Sequence, residues 1–229
     1  MKMPDVGMYA RAVPLLLRHP SILAMPLLAA AVDWGLTEIS PFFTDALGGA
    51  GAGIFALIAQ LVYGFAFGIA VIQASQAWRG RRASFDEAWE EGSHKWGGIV
   101  LAAMGFYFLV FAAGYVGAMF GGMLGFFLEL AAAFFLIYTI PAAAIGGMPG
   151  SLAIQASVRA VRQDVFGTAL LAIAFILLWV AVPQLVLYIP FTSVTVESLA
   201  IAGARALVLG YLAFPFAKQY DDIAFTRTW

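Results

Sequence analysis

Residues 97–145 carry a single charged side chain, Glu129. A helix crosses the ~30 Å hydrocarbon layer of a bilayer in about 20 residues, so this run is too long for one crossing and long enough for two. Gly121 and Gly122 stand near its middle. A glycine weakens a helix by about 1 kcal/mol and turns readily, so the run predicts a membrane hairpin broken at these two positions.

The remainder of the chain agrees with that solvent. With 63% apolar and 11% charged residues in 229, an ordinary soluble globule is excluded. A formal net charge of -1 offers no basic face, and no nucleic-acid partner is expected. The absence of cysteine rules out disulfides, a thiolate nucleophile and cysteine-ligated metal. No phosphate-binding loop, dinucleotide fingerprint, nucleophile elbow or HExxH motif occurs, so neither an enzyme nor a cofactor is expected. His19 and His94 fall in separate polar junctions without a second ligand one helical turn away, and are expected as surface residues rather than metal ligands.

Taken in order, the chain predicts an all-α polytopic membrane protein with six spans, at about 21–40, 51–78, 97–120, 123–144, 165–189 and 198–217. The first apolar run, 12–17, is ended by Arg18, His19 and Pro20, too early and wrongly flanked for a cleaved signal. Segments 4–18, 84–95 and 151–162 instead read as amphipathic helices at the membrane surface. In the first, Tyr9, Val13, Leu16 and Leu17 are expected to dip into the interface. Ser84 and Glu87 have the spacing of a capping box, and Ser151 is placed to cap the third. A loop is expected around Pro41, Asp45, Gly48 and Gly49, a kink at Pro183, and a polar tail over 218–229. Gly64 and Gly68 form a small-xxx-small step for close helix packing.

Basic loops are retained on the cytoplasmic side of a membrane. Lys2, Arg11 and Arg18 precede the first span; Arg79, Arg81, Arg82 and Lys95 follow the second; Arg159 and Arg162 follow the fourth; Lys218 and Arg227 follow the sixth. Of the 12 Lys and Arg residues only Arg205 is inside a span. Both termini are therefore expected in the cytoplasm. Three times a surface helix and a polar elbow feed a pair of spans, which predicts three hairpins in a parallel repeat about an axis along the membrane normal.

A charge at bilayer depth costs roughly 2.5–3.5 kcal/mol on insertion scales, so Asp33, Glu129 and Arg205 require partners. At ~1.5 Å per residue all three lie about 10 Å from the non-cytoplasmic ends of spans one, four and six. One expectation is an ion-pair cluster, Arg205 between two carboxylates, that fixes how the hairpins dock. The other is a binding or proton-relay site in a transport path, with Gln60, Gln184 and Tyr188 toward the same side.

Several short motifs carry a resemblance. Leu17-Arg18-His19-Pro20 is followed by Pro26-Leu27-Leu28, Trp78-Arg79-Gly80 by Ser84-Phe85-Asp86-Glu87-Ala88, and Tyr138-x-x-Pro141 by Ser157, with Tyr220-Asp221-Asp222 late in the chain. In these the chain resembles a group of bacterial six-span membrane proteins of unassigned function, related to the membrane domain fused to some glycerophosphodiester phosphodiesterases. The metal-binding residues of the phosphodiesterase domain have no counterpart here, so hydrolase activity is not implied. The resemblance implies a multi-pass protein of the bacterial inner membrane. The expected function is a non-catalytic scaffold or accessory subunit that binds lipid or another membrane protein through its cytoplasmic surface helices, with Arg79, Arg81 and Arg82 on anionic head groups. The alternative is a small permease using Asp33, Glu129 and Arg205.

Overall fold

The structure, a computed structural model, describes residues 5–47, 49–81, 83–191 and 193–225. Among the described residues every regular element is helical: α1 Gly7–Arg18, a 3₁₀ turn Pro20–Leu23, α2 Ala24–Leu47, α3 Gly49–Trp78, α4 Phe85–His94, α5 Trp96–Ala118, α6 Gly122–Phe135, α7 Thr139–Ala144, α8 Ser151–Gln163, α9 Val165–Val186 and α10 Val194–Phe225. Six stretches are long and apolar enough to cross a membrane, namely Pro20–Pro41, Gly53–Trp78, Trp96–Ala118, Gly122–Ala144, Val165–Val186 and Val194–Ala224. They follow the expected spans closely because apolar runs without water to bond their amides have only the helix to adopt.

The packing centres on α3 and α10, which touch each other, while α10 also packs on α2 and α9. Small side chains make the approach possible: Ala66, Ala70 and Ala74 of α3 and Ala206, Ala213 and Ala217 of α10 are fully buried. A side-chain carbon built on Gly64 would lie 2.6 Å from Ala103, and one on Gly68 would lie 2.8 Å from Ile99. The small-xxx-small step therefore brings α3 onto α5 inside the bundle.

Cross-bonds gather one end of every span on one side. Gln73 of α3 donates to Ser21 before α2 at 3.5 Å, Arg79 pairs with Asp221 of α10 at 3.2 Å, Lys95 before α5 donates to the carbonyl of Ala144 at 2.9 Å, and Gln219 of α10 donates to Asp164 before α9 at 3.2 Å. This end is the elbow side, and the end holding Gly121 and Pro190 is the loop side. α1 lies against α10, with Met8 and Ala12 buried and the Tyr211 hydroxyl donating to the Tyr9 carbonyl at 3.0 Å. Burial pushes the Tyr9 phenol well above its ordinary titration range. The expected interfacial face of this helix is split, since Tyr9 and Leu16 pack on the core while Val13 and Leu17 point outward.

The boundaries differ from expectation at four places. Instead of a loop at Pro41, α2 continues through it to Leu47. Proline leaves the carbonyl four residues back without its N–H, and the Ser40 hydroxyl donates to that carbonyl, Thr37, at 3.2 Å. The second difference lies in the fourth span, which is interrupted between α6 and α7 rather than running unbroken to residue 144. The ring of Pro141 is incompatible with a helical carbonyl at residue 137 and offers it no N–H. Ser157 of α8 bridges the break, donating to the Phe135 carbonyl at 2.9 Å and accepting the Tyr138 amide at 3.0 Å. Third, α10 extends to Phe225 where a polar tail was expected, because its polar residues are used: Gln219 on Asp164, Asp221 on Ser75 and Arg79, and Lys218 on Asp222. Last, Gly150 at φ 52 precedes α8 in place of a Ser151 cap. Ser84 does cap α4 through the Glu87 amide, although among the described residues the Glu87 carboxylate returns no bond.

Ser157 is fully buried and serves two backbone groups of the fourth candidate span. Ser157→Ala is expected to lower stability by about 1–2 kcal/mol, the usual scale for stranding buried polar groups. The readout is the thermal midpoint in detergent, compared with Ser151→Ala, whose exposed hydroxyl makes no hydrogen bond among the described residues. Equal midpoints would show that the break supports itself.

Candidate functional site

α6 and α9 touch only lightly, and between them and α3 lies a cavity of about 930 Å³. Its wall is apolar over most of its height. Small residues on the lining faces, Ala59 and Gly64 of α3, Ala131 of α6, Ala169 and Ala172 of α9, hold the space open. Toward the elbow side it ends on Phe67, Ile140 and Phe216, all buried; the rings of Phe67 and Phe216 meet edge to face at 5.2 Å. Toward the loop side it ends on Asp33, Gln60, Tyr63 and Arg205.

The polar end is built by three spans. Ala30 of α2, one turn before Asp33, packs on Ala202 and Ala206 of α10, one turn before and directly after Arg205. Trp34 donates to Ser198 across the same seam at 3.1 Å. That close approach sets the Arg205 guanidinium 3.8 Å from Asp33 Oδ2. From α3 the Tyr63 hydroxyl donates to the same oxygen at 3.2 Å. The Arg205 guanidinium also lies 5.9 Å from the centre of the Trp179 ring of α9, a cation–π contact. Tyr63 meets Trp179 edge to face at 6.2 Å. Arg205 Nε is buried without a hydrogen-bond partner.

Of the three expected intramembrane ions the structure brings together two. Glu129 makes no ion pair among the described residues. Its carboxylate lies over α5, where a side-chain carbon on Gly114 would be 3.1 Å from Glu129 Oε2, and it does not line the cavity. Shared depth placed it beside Arg205, but its position around α6 turns it toward α5. Gln60 lines the polar end as expected, whereas Gln184 and Tyr188 are exposed away from it. Tyr63 and Trp179 were missed. Tyr63 follows Gln60 by three residues and so shares its helical face, which is the signal that pointed to it; Trp179 has no comparable marker.

At the elbow side the expected head-group arginines separate. Arg79 is committed to Asp221, which also accepts the Ser75 hydroxyl at 3.0 Å. Arg81 is exposed, and Arg82 lies outside the described residues. His19 and His94 are in different elbows, and no group of three His, Asp or Glu side chains placed to hold a metal occurs among the described residues.

The arrangement provides an apolar chamber closed toward the elbow side, with a salt-bridged, hydrogen-bonding rim at its other end. No protein-family model, curated protein or solved structure matches this chain.

Proposed function

We propose that this is a non-catalytic integral membrane protein that binds a lipid within its bundle and acts as a scaffold or accessory subunit. The observation that carries the reading is the 930 Å³ cavity, apolar except at one end. A volume near the upper limit of the ~300–1,000 Å³ usual for ligand sites, lined by alanine and aromatic side chains with a few convergent polar groups, suits an amphiphile with one long apolar part. The same reading puts three hairpins around the cavity, α1, α4 and α8 along the cytoplasmic interface, and both termini in the cytoplasm of a bacterial cell, in keeping with the basic residues of the elbow side. α4, with Asp86, Glu87, Glu90 and Glu91, would be the face offered to a membrane partner. Kinship with the bacterial six-span proteins is part of the proposal and rests on Arg79, Tyr138, Ser157 and Asp221, which make bonds described above, and on Trp78, whose indole N–H donates to the Phe214 carbonyl at 2.8 Å.

A permease is the weaker reading. It loses Glu129 from its site, and the cavity ends on Phe67, Ile140 and Phe216, where a transport path would need polar groups.

Filling the chamber tests lipid binding. Ala172→Phe, or Ala131→Phe from the opposite wall, is expected to reduce the lipid that remains with the purified protein several-fold, with stability lowered by no more than about 1–3 kcal/mol, as over-packing allows. Retained lipid is counted by extraction and mass spectrometry after matched detergent washing. Wild-type protein that carries no more lipid than either filled variant would remove the basis of the proposal.

A further inference from the structure

Neither ion at the rim is saturated by the protein. A guanidinium has several N–H donors in a planar fork; Arg205 turns Nη1 toward Asp33 at 3.8 Å, and its buried Nε faces no acceptor. Asp33 Oδ2 takes the Tyr63 hydroxyl and faces Arg205, while Oδ1 accepts no hydrogen bond among the described residues. A second cavity of about 210 Å³ adjoins the large one at Asp33, Ala56 and Ala59, and follows Leu36, Thr37 and Ser40 along α2 toward the loop side. A small compartment of mixed lining, with Asp33, Thr37 and Ser40 as its polar groups, and a large apolar one thus meet at an open ion pair.

Resting on the lipid-binding reading, we propose that the occupant is a phospholipid with a zwitterionic head group ending in a primary ammonium. Its phosphate lies on Arg205, its ammonium lies on Asp33 Oδ1 in the smaller cavity, and an acyl chain fills the larger one. Charge balance selects this class. The rim carries one positive and one negative group where the dielectric is low, so a ligand of net charge -1 would satisfy Arg205 while forcing a second anion upon Asp33, a like-charge juxtaposition that costs several kcal/mol. An uncharged lipid leaves Arg205 Nε without an acceptor, and a buried donor left unmade costs about 1–3 kcal/mol. A quaternary ammonium has no N–H to give Asp33 Oδ1. Soluble glycerophosphoethanolamine, a phosphodiester like the lipid, has the same charges but nothing to occupy 930 Å³ of apolar space.

The test uses the full chain, delipidated and reconstituted in nanodiscs or mixed micelles, with native mass spectrometry reporting retained lipid. Phosphatidylethanolamine, phosphatidylglycerol, phosphatidylcholine and diacylglycerol of matched chains are supplied at equal mole fraction. Phosphatidylethanolamine is expected to be retained about tenfold over each of the others, and soluble glycerophosphoethanolamine is expected not to displace it. Asp33→Asn is expected to abolish the ethanolamine-over-glycerol preference, and Arg205→Gln to bring both phospholipids to the level of diacylglycerol. The preference itself is read in the wild-type chain and does not depend on how either variant folds. Phosphatidylglycerol retained as well as phosphatidylethanolamine, or a preference that persists in Asp33→Asn, would each overturn the head-group assignment while leaving lipid binding in place, and displacement by soluble glycerophosphoethanolamine would overturn the placing of an acyl chain in the larger cavity. Retention of no lipid, with wild type and Ala172→Phe alike, would instead remove the lipid-binding reading beneath it.

Discussion

Asp33→Leu is expected to destabilise the solubilised protein by about 2.5–3.5 kcal/mol, and Asp33→Leu/Arg205→Leu to recover most of that loss. The magnitude is that of an uncompensated charge within a membrane helix, and the sign of the recovery follows from what each change leaves behind. Removing Asp33 alone strands the Arg205 guanidinium, which retains only the Trp179 face at 5.9 Å, a contact worth roughly 0.5–2 kcal/mol. Removing both partners leaves two apolar side chains at the Ala30, Ala202 and Ala206 seam, and replacement of an embedded ion pair by apolar residues is often neutral or better. Arg205→Leu leaves Asp33 with the Tyr63 hydroxyl still donating to it at 3.2 Å, so this variant is expected to fall between the other two. The three thermal midpoints, measured in one detergent with the lipid content of each sample determined, give the ranking. A loss in the double variant equal to the sum of the two single losses would mean that the two ions act independently, and the 3.8 Å approach would carry no energetic weight. If the double variant regains its midpoint but retains no lipid, the pair serves the ligand more than the fold.

The sequence was most informative where one variable decides the outcome. An apolar run must be helical in a bilayer, and its length decides how many crossings it makes, so the ends of α3, α5 and α9 lay close to where composition put them. Local polar bonding was less legible. Pro41 lies within a helix beside a hydroxyl that takes the carbonyl it orphans, and the break near Pro141 is bridged by Ser157, sixteen positions later and on another helix. The site divides along the same line. Depth along the membrane normal follows from residue counting, and depth alone suggested Asp33, Glu129 and Arg205. Bringing side chains together also requires the rotation of each helix about its axis, and that is set by packing. Ala30, Ala202 and Ala206 turn α2 and α10 face to face, whereas Gly114 receives Glu129 on α5 and takes it away from the others. The cavity had no signature of its own in the sequence, since it is formed where α6 and α9 touch only lightly, and the alanines lining it look the same as alanines that bring helices together.

The seam that holds Glu129 gives the largest expected effect. A side-chain carbon on Gly117 would lie 2.7 Å from the Cα and 2.8 Å from the amide nitrogen of Gly125, and one on Gly125 would lie 2.9 Å from the amide of Ala118 and the carbonyl of Gly114. These neighbours are backbone, so no rotamer change relieves the overlap, and α5 and α6 would have to separate along their length. Helices in lipid are held by close van der Waals packing, with little hydrophobic force between them to compensate for a gap. Gly117→Val is therefore expected to cost at least about 3 kcal/mol, beyond ordinary over-packing, and to lower the yield of monodisperse protein. Gly122 offers the contrast within the same hairpin: nothing lies within 4 Å of a side chain added there, and its φ is not positive. Gly122→Ala at the start of α6 is expected to be neutral or to stabilise by up to about 0.5–1 kcal/mol through reduced backbone freedom in the unfolded chain. Because α6 also forms one wall of the cavity, parting it from α5 shifts Phe127, Leu130 and Ala131, so Gly117→Val is further expected to reduce lipid retention without touching the cavity itself. Wild-type stability and lipid content in Gly117→Val would show that the two helices do not meet at their glycines, and both the wall and the placement of Glu129 would have to be redrawn.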